Sequence, residues 1–176
     1  MELLELPLGL QLRLIADAAP LRHERTLLDG RYVCADRLEN GCGTMGVVRH
    51  GFDTVCQRAV AIKTIPKNAN WQNRREAILR EVRTHSLVSD HPNVVTLYEA
   101  LEDSFFYYLI MEYCSGGDLF SFVADGPAEG QPPEVCSRIM RQLMAGLQHL
   151  HLRGVIHADI KLEVLLTPSI QARCFV

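Results

Sequence analysis

The chain has 176 residues, 48% of them hydrophobic and 22% charged, and its formal net charge is -3. This balance is typical of a globular domain and lacks the basic excess of a nucleic-acid-binding protein. No run approaches the roughly eighteen apolar residues that a membrane-spanning helix needs. The six cysteines are scattered without C-x-x-C spacing, which indicates reduced thiols and a cytoplasmic or nuclear location.

Residues 1–30 are predicted to form an extension that leads into the first strand near Tyr32. Glu2 and Glu5 stand where a secretory signal would have positive charge, and Pro7 interrupts the apolar run. We therefore expect no signal peptide in this extension.

A glycine-rich segment follows, Gly41-Cys42-Gly43-Thr44-Met45-Gly46-Val47-Val48. This spacing also occurs in dinucleotide-binding folds, where a helix follows the glycines. Here the chain leads instead through a polar turn to a β-branched run, residues 58–63, that is typical of a strand. The glycines therefore predict a hairpin whose backbone can approach phosphate oxygens. A glycine-rich hairpin that binds no ligand is the alternative.

A helix is predicted from about Trp71 to Val88, with Asn70 as its N-cap. It contains two acidic residues, Glu76 and Glu81, either of which could pair with Lys63 at the end of the preceding strand. For each of these three residues taken alone, a surface charge is the simpler interpretation. An i,i+4 ion pair on such a helix contributes only a few tenths of a kcal/mol.

Two further strands are predicted at Val94–Tyr98 and Phe105–Met111, because both runs are short and rich in β-branched or aromatic residues. The second leads into residues 111–119, which taken alone form an ordinary strand-to-helix connection with Gly-Gly as a turn. A short helix at 118–124 and a proline- and glycine-rich linker precede a longer helix that starts near Glu134.

The longer helix is apolar over about half of its circumference, wider than the stripe of a one-sided surface helix. Its apolar residues are Val135, Ile139, Met140, Leu143, Met144, Leu147 and Leu150. We expect neighbours on several sides of this helix, or else an exposed patch that marks an interface or an aggregation-prone surface. His149 and His151 also lie on it, but residues two apart do not share a face, so no zinc site is expected.

The segment His157-Ala158-Asp159-Ile160-Lys161-Leu162-Glu163-Val164 completes a set of motifs that resembles the protein kinase superfamily. The other members of the set are the glycine loop, the V-A-I-K strand that ends at Lys63, a helix Glu and the segment around Glu112. They occur in the family's order with compatible gaps, and the resemblance extends from about Arg31 to the end of the chain. Lys161, two residues after Asp159, resembles the serine/threonine branch.

The resemblance implies an α+β fold with two lobes. Residues 31–112 would form an N-lobe, a five-stranded antiparallel sheet with one helix. Residues 113–176 would form the hinge and a truncated α-helical C-lobe. The resemblance also favours Glu81 over Glu76 as the partner of Lys63, because His91-Pro92-Asn93 follows Glu81 by ten residues, as in the family.

An ATP site is implied as well, with the glycine backbone against the phosphates and Lys63 on the α- and β-phosphates. The hinge backbone of Glu112 and Cys114 would bind the adenine edge, Met111 would be the gatekeeper, and Asp118 would accept from the ribose. The implied nucleotide-binding residues are Gly41, Gly43, Gly46, Val48, Ala61, Lys63, Glu81, Met111, Glu112, Cys114 and Asp118.

The implied catalytic residues are Asp159, which would accept the substrate hydroxyl proton, and Lys161, which would contact the transferred phosphate. The family uses magnesium, but its Asn ligand is replaced here by Val164, and the D-F-G motif would be expected near residue 177, just beyond Val176. Both usual protein ligands of the metal are therefore predicted to be missing. Ala158 and Leu162 also depart from the family's Arg and Pro.

Three hypotheses follow for the function. The first is a serine/threonine protein kinase domain that transfers the γ-phosphate of ATP to protein Ser or Thr, this chain being a catalytically impaired fragment of it. The second is a pseudokinase module that acts on a partner protein and binds nucleotide weakly or not at all. The third is a two-lobed remnant without a ligand. From the net charge and the absence of a long apolar run, we expect neither nucleic acid nor a membrane as a partner.

Overall fold

A computed structural model of the chain describes residues 12–14, 25–27, 30–43, 46–67 and 71–167, except for the side chains of 25–26, 35–43 and 71–74. The chain divides into two compact units. The first comprises the residues up to Ser86 together with Leu97–Tyr113, and the second comprises Leu87–Thr96 together with the residues from Cys114 onward. Residues 87–96 thus group with the second unit, although the sequence placed them in the first lobe.

The first unit consists of a seven-stranded sheet and one helix. The strands are β1 (Leu12–Leu14), β2 (Arg25–Leu27), β3 (Tyr32–Gly43), β4 (Gly46–Asp53), β5 (Arg58–Pro66), β6 (Leu97–Glu102) and β7 (Phe106–Glu112). They lie side by side in the order β1-β6-β7-β5-β4-β3-β2. The five longer strands form the antiparallel sheet that was expected.

The expectation of five strands, all antiparallel, is incomplete at the two edges of the sheet. Residues expected to form only an extension contribute β2, which pairs antiparallel with β3, and β1, which pairs parallel with β6. The physical reason is that an edge strand presents unpaired backbone N–H and C=O groups. A segment of three residues can pair with those groups without any hydrophobic pattern of its own.

The helix of the first unit, α1, spans Trp71–Val88, as predicted, and its last two residues group with the second unit. Its expected N-cap, Asn70, lies outside the described residues. Ile78 and Val82 are four residues apart and therefore share a helix face. They pack on one face of the sheet against a buried cluster of Ile65, Leu97, Ala100, Tyr107 and Leu109.

The opposite face of the sheet curls around a second core. Its buried residues are Leu27, Tyr32, Cys34, Val60, Ile62, Leu101, Tyr108 and Ile110. The Tyr32 hydroxyl donates to Glu99 Oε2 at 2.6 Å. Because β3 and β6 are separated by three strands in the sheet order, this bond requires strong curvature.

The second unit is mainly helical, with α2 at Leu119–Ala124 and α3 at Pro133–Leu152. Ile139 and Leu143 of α3 are buried with Leu119 and Leu165. Among the described helices, none has both the length and the apolarity to cross a bilayer.

The strand predicted at Val94–Tyr98 begins later than expected, since β6 starts at Leu97. Val94 is buried instead with Val88 and Leu150 of the helical unit. Hydrophobicity correctly indicates burial at Val94, but it does not distinguish packing on helices from pairing in a sheet.

Candidate functional site

The register of three strands brings several predicted site residues onto one face of the sheet. Val48 on β4 lies opposite Lys63 on β5, and Ala61 on β5 lies opposite Met111 on β7. Directly opposite residues share a face, as do residues two apart in a strand. Ile65, two residues beyond Lys63, packs against α1, so this is the face that the helix covers.

On this face Lys63 contacts Glu81, with 2.6 Å between Nζ and Oε1. The structure thus pairs Lys63 with the Glu that the spacing favours, while Glu76 lies on the exposed side of α1. The side chains of Lys63 and Glu81 retain 20% and 25% of their exposure, so solvent weakens the pair. Among the described residues, the second carboxylate oxygen of Glu81 is buried and has no hydrogen-bond partner.

The glycine segment connects β3 with β4. Gly43 pairs with Gly46, and β3 is irregular between Arg37 and Cys42, the stretch that contains Gly41. Residues 44 and 45 lie outside the described ranges. A side-chain carbon at Gly46 would lie 2.6 Å from the Thr64 carbonyl oxygen. Packing against β5 therefore requires glycine at position 46 whether or not a phosphate binds there.

His50, which belongs to none of the sequence motifs, also lies on this face. His50 lies opposite Ala61, and its ring meets the ring of Tyr113 edge-on with 4.6 Å between centroids. The signal that could have identified it is the strand alternation, because His50 is two residues beyond Val48. Glu112, the last residue of β7, adjoins Tyr113.

Two of the other predicted site residues lie at the start of the second unit. Cys114 is buried. Asp118 is the N-cap of α2, and its Oδ1 accepts a hydrogen bond from the Ser121 backbone N–H at 2.7 Å. The segment between them adopts a left-handed backbone at Gly117, with φ of 72°. The backbone of Gly116 and Gly117 is hydrogen-bonded to Thr167.

The predicted catalytic segment forms an exposed loop in the second unit. Lys161 Nζ lies 3.1 Å from Asp159 Oδ2, with more than half of each side chain exposed. The Asp159 N–H donates to His157 Nδ1 at 3.3 Å, and burial lowers the pKa of His157. Ala158 has φ of 63°, a left-handed conformation that costs a non-glycine residue about 1 kcal/mol.

Val164 is half-buried in the same loop, where its N–H donates to the Lys161 carbonyl at 3.2 Å. Its side chain has no oxygen or nitrogen that could bind a cation. Within the described parts of the chain, no three His, Cys, Asp or Glu residues are arranged to hold a metal ion.

Comparison with protein-family models matches the protein kinase domain to residues 37–172 of this chain. The serine/threonine-protein kinase ATG1a of Arabidopsis thaliana is 37% identical over 147 residues, covering 83% of this chain. CBL-interacting protein kinase 31 of Oryza sativa subsp. japonica is 37% identical, and a probable myosin light chain kinase of Dictyostelium discoideum is 33% identical, over 72% and 73% of this chain.

This chain spans only part of these relatives, namely 22%, 28% and 39% of their respective lengths. The family model, however, covers most of the chain, from β3 to beyond the loop that contains Asp159 and Lys161. The chain therefore belongs to the protein kinase domain family.

Proposed function

We propose that this chain binds ATP and derives from serine/threonine kinases that transfer the γ-phosphate of ATP to a protein hydroxyl. The observation that carries the proposal is the contact between Lys63 and Glu81 on the sheet face that also presents Val48, Ala61 and Met111. In kinases this ion pair positions the Lys on the nucleotide phosphates.

The residues of this face suit a nucleotide. Lys63 Nζ has three N–H donors, and Glu81 Oε1 accepts one of them. Among the described residues no other acceptor contacts Nζ, so two donors can serve phosphate oxygens. Val48 and Ala61 would contribute an apolar surface for a flat base, with Met111 as the gatekeeper.

The proposed site continues along the backbone. Gly41, Gly43 and Gly46 would approach the phosphates, and the backbone of Glu112 and Cys114 would bind the adenine edge. Asp118 would accept from the ribose through the oxygen that does not cap α2. These assignments rest on the family pattern at matching positions.

In the family reaction, the substrate hydroxyl oxygen forms a bond to the γ-phosphorus while the bond from that phosphorus to ADP breaks. We propose that Asp159 takes the hydroxyl proton and that Lys161 provides positive charge beside the transferred group. The Asp159 carboxylate is exposed, so a substrate hydroxyl can reach it.

The loop that contains Asp159 lacks one of the side chains that bind magnesium in the family. The family Asn would offer a carbonyl oxygen at position 164, whereas Val164 offers only methyl groups. We therefore propose that transfer by this chain is strongly impaired and that its ATP binding depends little on magnesium. A pseudokinase module that acts through a partner protein is the second candidate function, and Val164 is the observation that favours it.

Nucleotide binding is tested by titrating the full chain with a fluorescent ATP analogue, with and without magnesium. Lys63→Ala removes the phosphate contact, and we expect the dissociation constant to rise at least about tenfold, since a charged hydrogen bond is worth roughly 1.5–3 kcal/mol. Magnesium is expected to change the affinity less than this substitution does.

Lys67→Ala is the matched control. Lys67 pairs with Glu102 at 3.1 Å in the same unit, so its loss also breaks an ion pair, but it removes no proposed nucleotide contact. The proposed site would be contradicted if Lys63→Ala bound the ATP analogue as tightly as wild type does. It would also be contradicted if Lys63→Ala and Lys67→Ala lost the same amount of affinity.

The impairment of phosphoryl transfer is tested by restoring the magnesium ligand at position 164. Val164→Asn is expected to increase phosphorylation of a generic Ser/Thr peptide by at least tenfold in the presence of magnesium, because one electrostatic group is commonly worth about 10²–10³ in rate. The measurement is transfer of labelled γ-phosphate, and Asp159→Asn in the restored chain should abolish the gain.

The two candidate functions predict different results in these assays. High transfer by the wild-type chain would contradict the impairment. Retained ATP affinity with no gain in Val164→Asn would instead favour the pseudokinase module.

A further inference from the structure

A cluster of charged and titratable side chains joins the turn after α1 to the last turn of α3. Asp90 and His91 lie in the turn, and His149 and Arg153 lie at the end of α3. Asp90 accepts from both helix residues, with 3.0 Å between Oδ1 and His149 Nε2 and 2.8 Å between Oδ2 and Arg153 Nη2. The rings of His91 and His149 lie against each other with 4.6 Å between centroids. All four residues belong to the second unit.

The partners of His149 indicate which of its ring nitrogens donates and which accepts. Arg153 Nη1 lies 3.0 Å from His149 Nδ1, and a guanidinium can only donate, so Nδ1 must accept. The ring proton is therefore on Nε2, where it faces Asp90 Oδ1 and the Val88 carbonyl oxygen at 3.1 Å. His149 thus contacts Asp90 and Val88 through one ring nitrogen and Arg153 through the other.

The hydrogen bond that His91 accepts needs a neutral ring. Its Nδ1 accepts from the Asn93 backbone N–H at 3.1 Å, which closes the turn. A proton on that nitrogen would turn an acceptor into a donor that faces another donor.

The surroundings of His91 also favour its neutral form. In the described structure, the charged or titratable groups that act on His91 are His149, Asp90 and Arg153. Burial, with the neighbouring His149 and Arg153, lowers the pKa of His91, and Asp90 opposes this only in part. A base with a lowered pKa binds fewer protons in the folded state, so its contribution to stability is complete above the ordinary histidine range and is lost as pH falls below about 6.5.

Loosening of the cluster would reach the loop that follows α3. Arg153 is the C-cap of the helix, and its N–H donates to the Leu150 carbonyl. Val155 packs against Val88, Val94 and Leu150. The chain then enters the loop that contains His157 and Asp159 within a few residues.

We propose that Asp90, His91, His149 and Arg153 form a proton-sensitive clamp, which holds the turn at residues 89–94 on the end of α3 and releases that turn and the following loop when acid protonates His91. The clamp does not depend on nucleotide binding.

The first test uses variants that keep the hydrogen bonds but cannot titrate. In His91→Asn the side-chain oxygen can accept from the Asn93 N–H, and in His149→Gln the amide can donate to Asp90. Between about pH 7.5 and about pH 5.5, the melting temperature of the full wild-type chain should fall by at least ~3 °C more than that of the double variant. His151→Gln is the control, because it removes an exposed histidine that lies two residues from His149 on the same helix. Its melting temperature should depend on pH as that of wild type does.

The second test needs no variant. In a histidine NMR titration of the wild-type chain, His91 should titrate below the ordinary range. Amide protection factors, which correct for the intrinsic pH dependence of exchange, should fall in acid first at residues 89–94 and 153–161. A His91 pKa at or above its ordinary value, or equal loss of melting temperature in wild type and double variant, would overturn the clamp. If the double variant does not fold, the NMR titration decides alone.

Discussion

The carboxylate of Asp53 is fully buried at the end of β4 and is surrounded by donors. The Arg31 guanidinium donates to its two oxygens at 3.4 and 3.3 Å, and the backbone N–H groups of Val55 and Cys56 donate to Oδ1 at 3.1 and 3.0 Å. Burial alone would raise the pKa of Asp53, but the hydrogen bonds from Cys56 and Arg31 outweigh burial and lower the pKa to about 2. This single residue thus holds both the hairpin turn and the start of β3.

Asp53→Ala is expected to lower the free energy of unfolding by about 3 kcal/mol at neutral pH, because it removes one of the two carboxylates that bind the half-buried Arg31 and leaves two turn amides without their acceptor. Urea denaturation of the full chain measures this change. If the free energy of unfolding fell by less than about 0.5 kcal/mol, water would be able to take over the hydrogen bonds of the Asp53 carboxylate.

The pH dependence follows from the sign of the shift at Asp53. Its folded pKa of about 2 lies below the ordinary value of 3.8, so its stabilisation is present above that ordinary value and is lost as pH falls toward 2. Asp53→Asn keeps an acceptor for the turn but has no charge. The stability gap between wild type and Asp53→Asn should therefore shrink as the pH is lowered below 4.

At the scale of elements, α2 shows how much a short helix depends on its ends. It has only six residues, too few to be stable in isolation. Asp118 caps its first turn with a bond of 2.7 Å to the Ser121 N–H, and Leu119 is buried against the second-unit core. Capping and packing together hold this helix.

Asp118→Ala is expected to cost about 1 kcal/mol of stability in the absence of nucleotide, the usual value of a lost N-cap. Denaturant unfolding followed in the second unit measures the change. Asp125→Ala at the C-terminal end is the matched control and should be neutral, since an acid at that end does not favour the helix dipole. Equal effects at both ends would argue against the cap.

At the scale of the whole molecule, α3 presents two apolar sides, and only one of them is covered in the described structure. Ile139 and Leu143 are buried, whereas Met140 and Met144 are 53% and 58% exposed and Leu152 is 79% exposed. These exposed residues line a shallow apolar groove along the helix. The broad apolar stripe in the sequence therefore predicted the composition of this surface, while the fold decides which side is covered.

The double substitution Met140→Gln and Met144→Gln is expected to change the free energy of unfolding by less than about 0.5 kcal/mol, because more than half of each residue is already exposed. It should reduce binding of a hydrophobic dye and any self-association measured by light scattering. Leu143→Gln, on the buried side, should by contrast unfold the unit. A large loss of stability in the double variant would mean that the exposed side is packed in solution.

Much of the architecture was predictable because its causes are local. The helix at Trp71–Val88 and the strands β5 and β7 follow from local sequence patterns, whereas the sheet of five antiparallel strands was implied by the resemblance to kinases. The choice of Glu81 followed from its spacing to His91, and the contact with Lys63 agrees with it. The roles assigned to the nucleotide-binding and catalytic residues remain predictions.

Other features depended on groups that are distant in sequence. The three-residue strands β1 and β2 form because β6 and β3 have free edges, and Val94 packs with Leu150 because the turn after α1 meets α3. His91 and His149 meet only through that same packing. The sequence by itself determined which segments are apolar or charged, and it determined that the motifs follow one another in the order of the kinase family. The tertiary structure alone decided which of these residues meet, because ion pairs and core contacts depend on distances that periodicity does not encode.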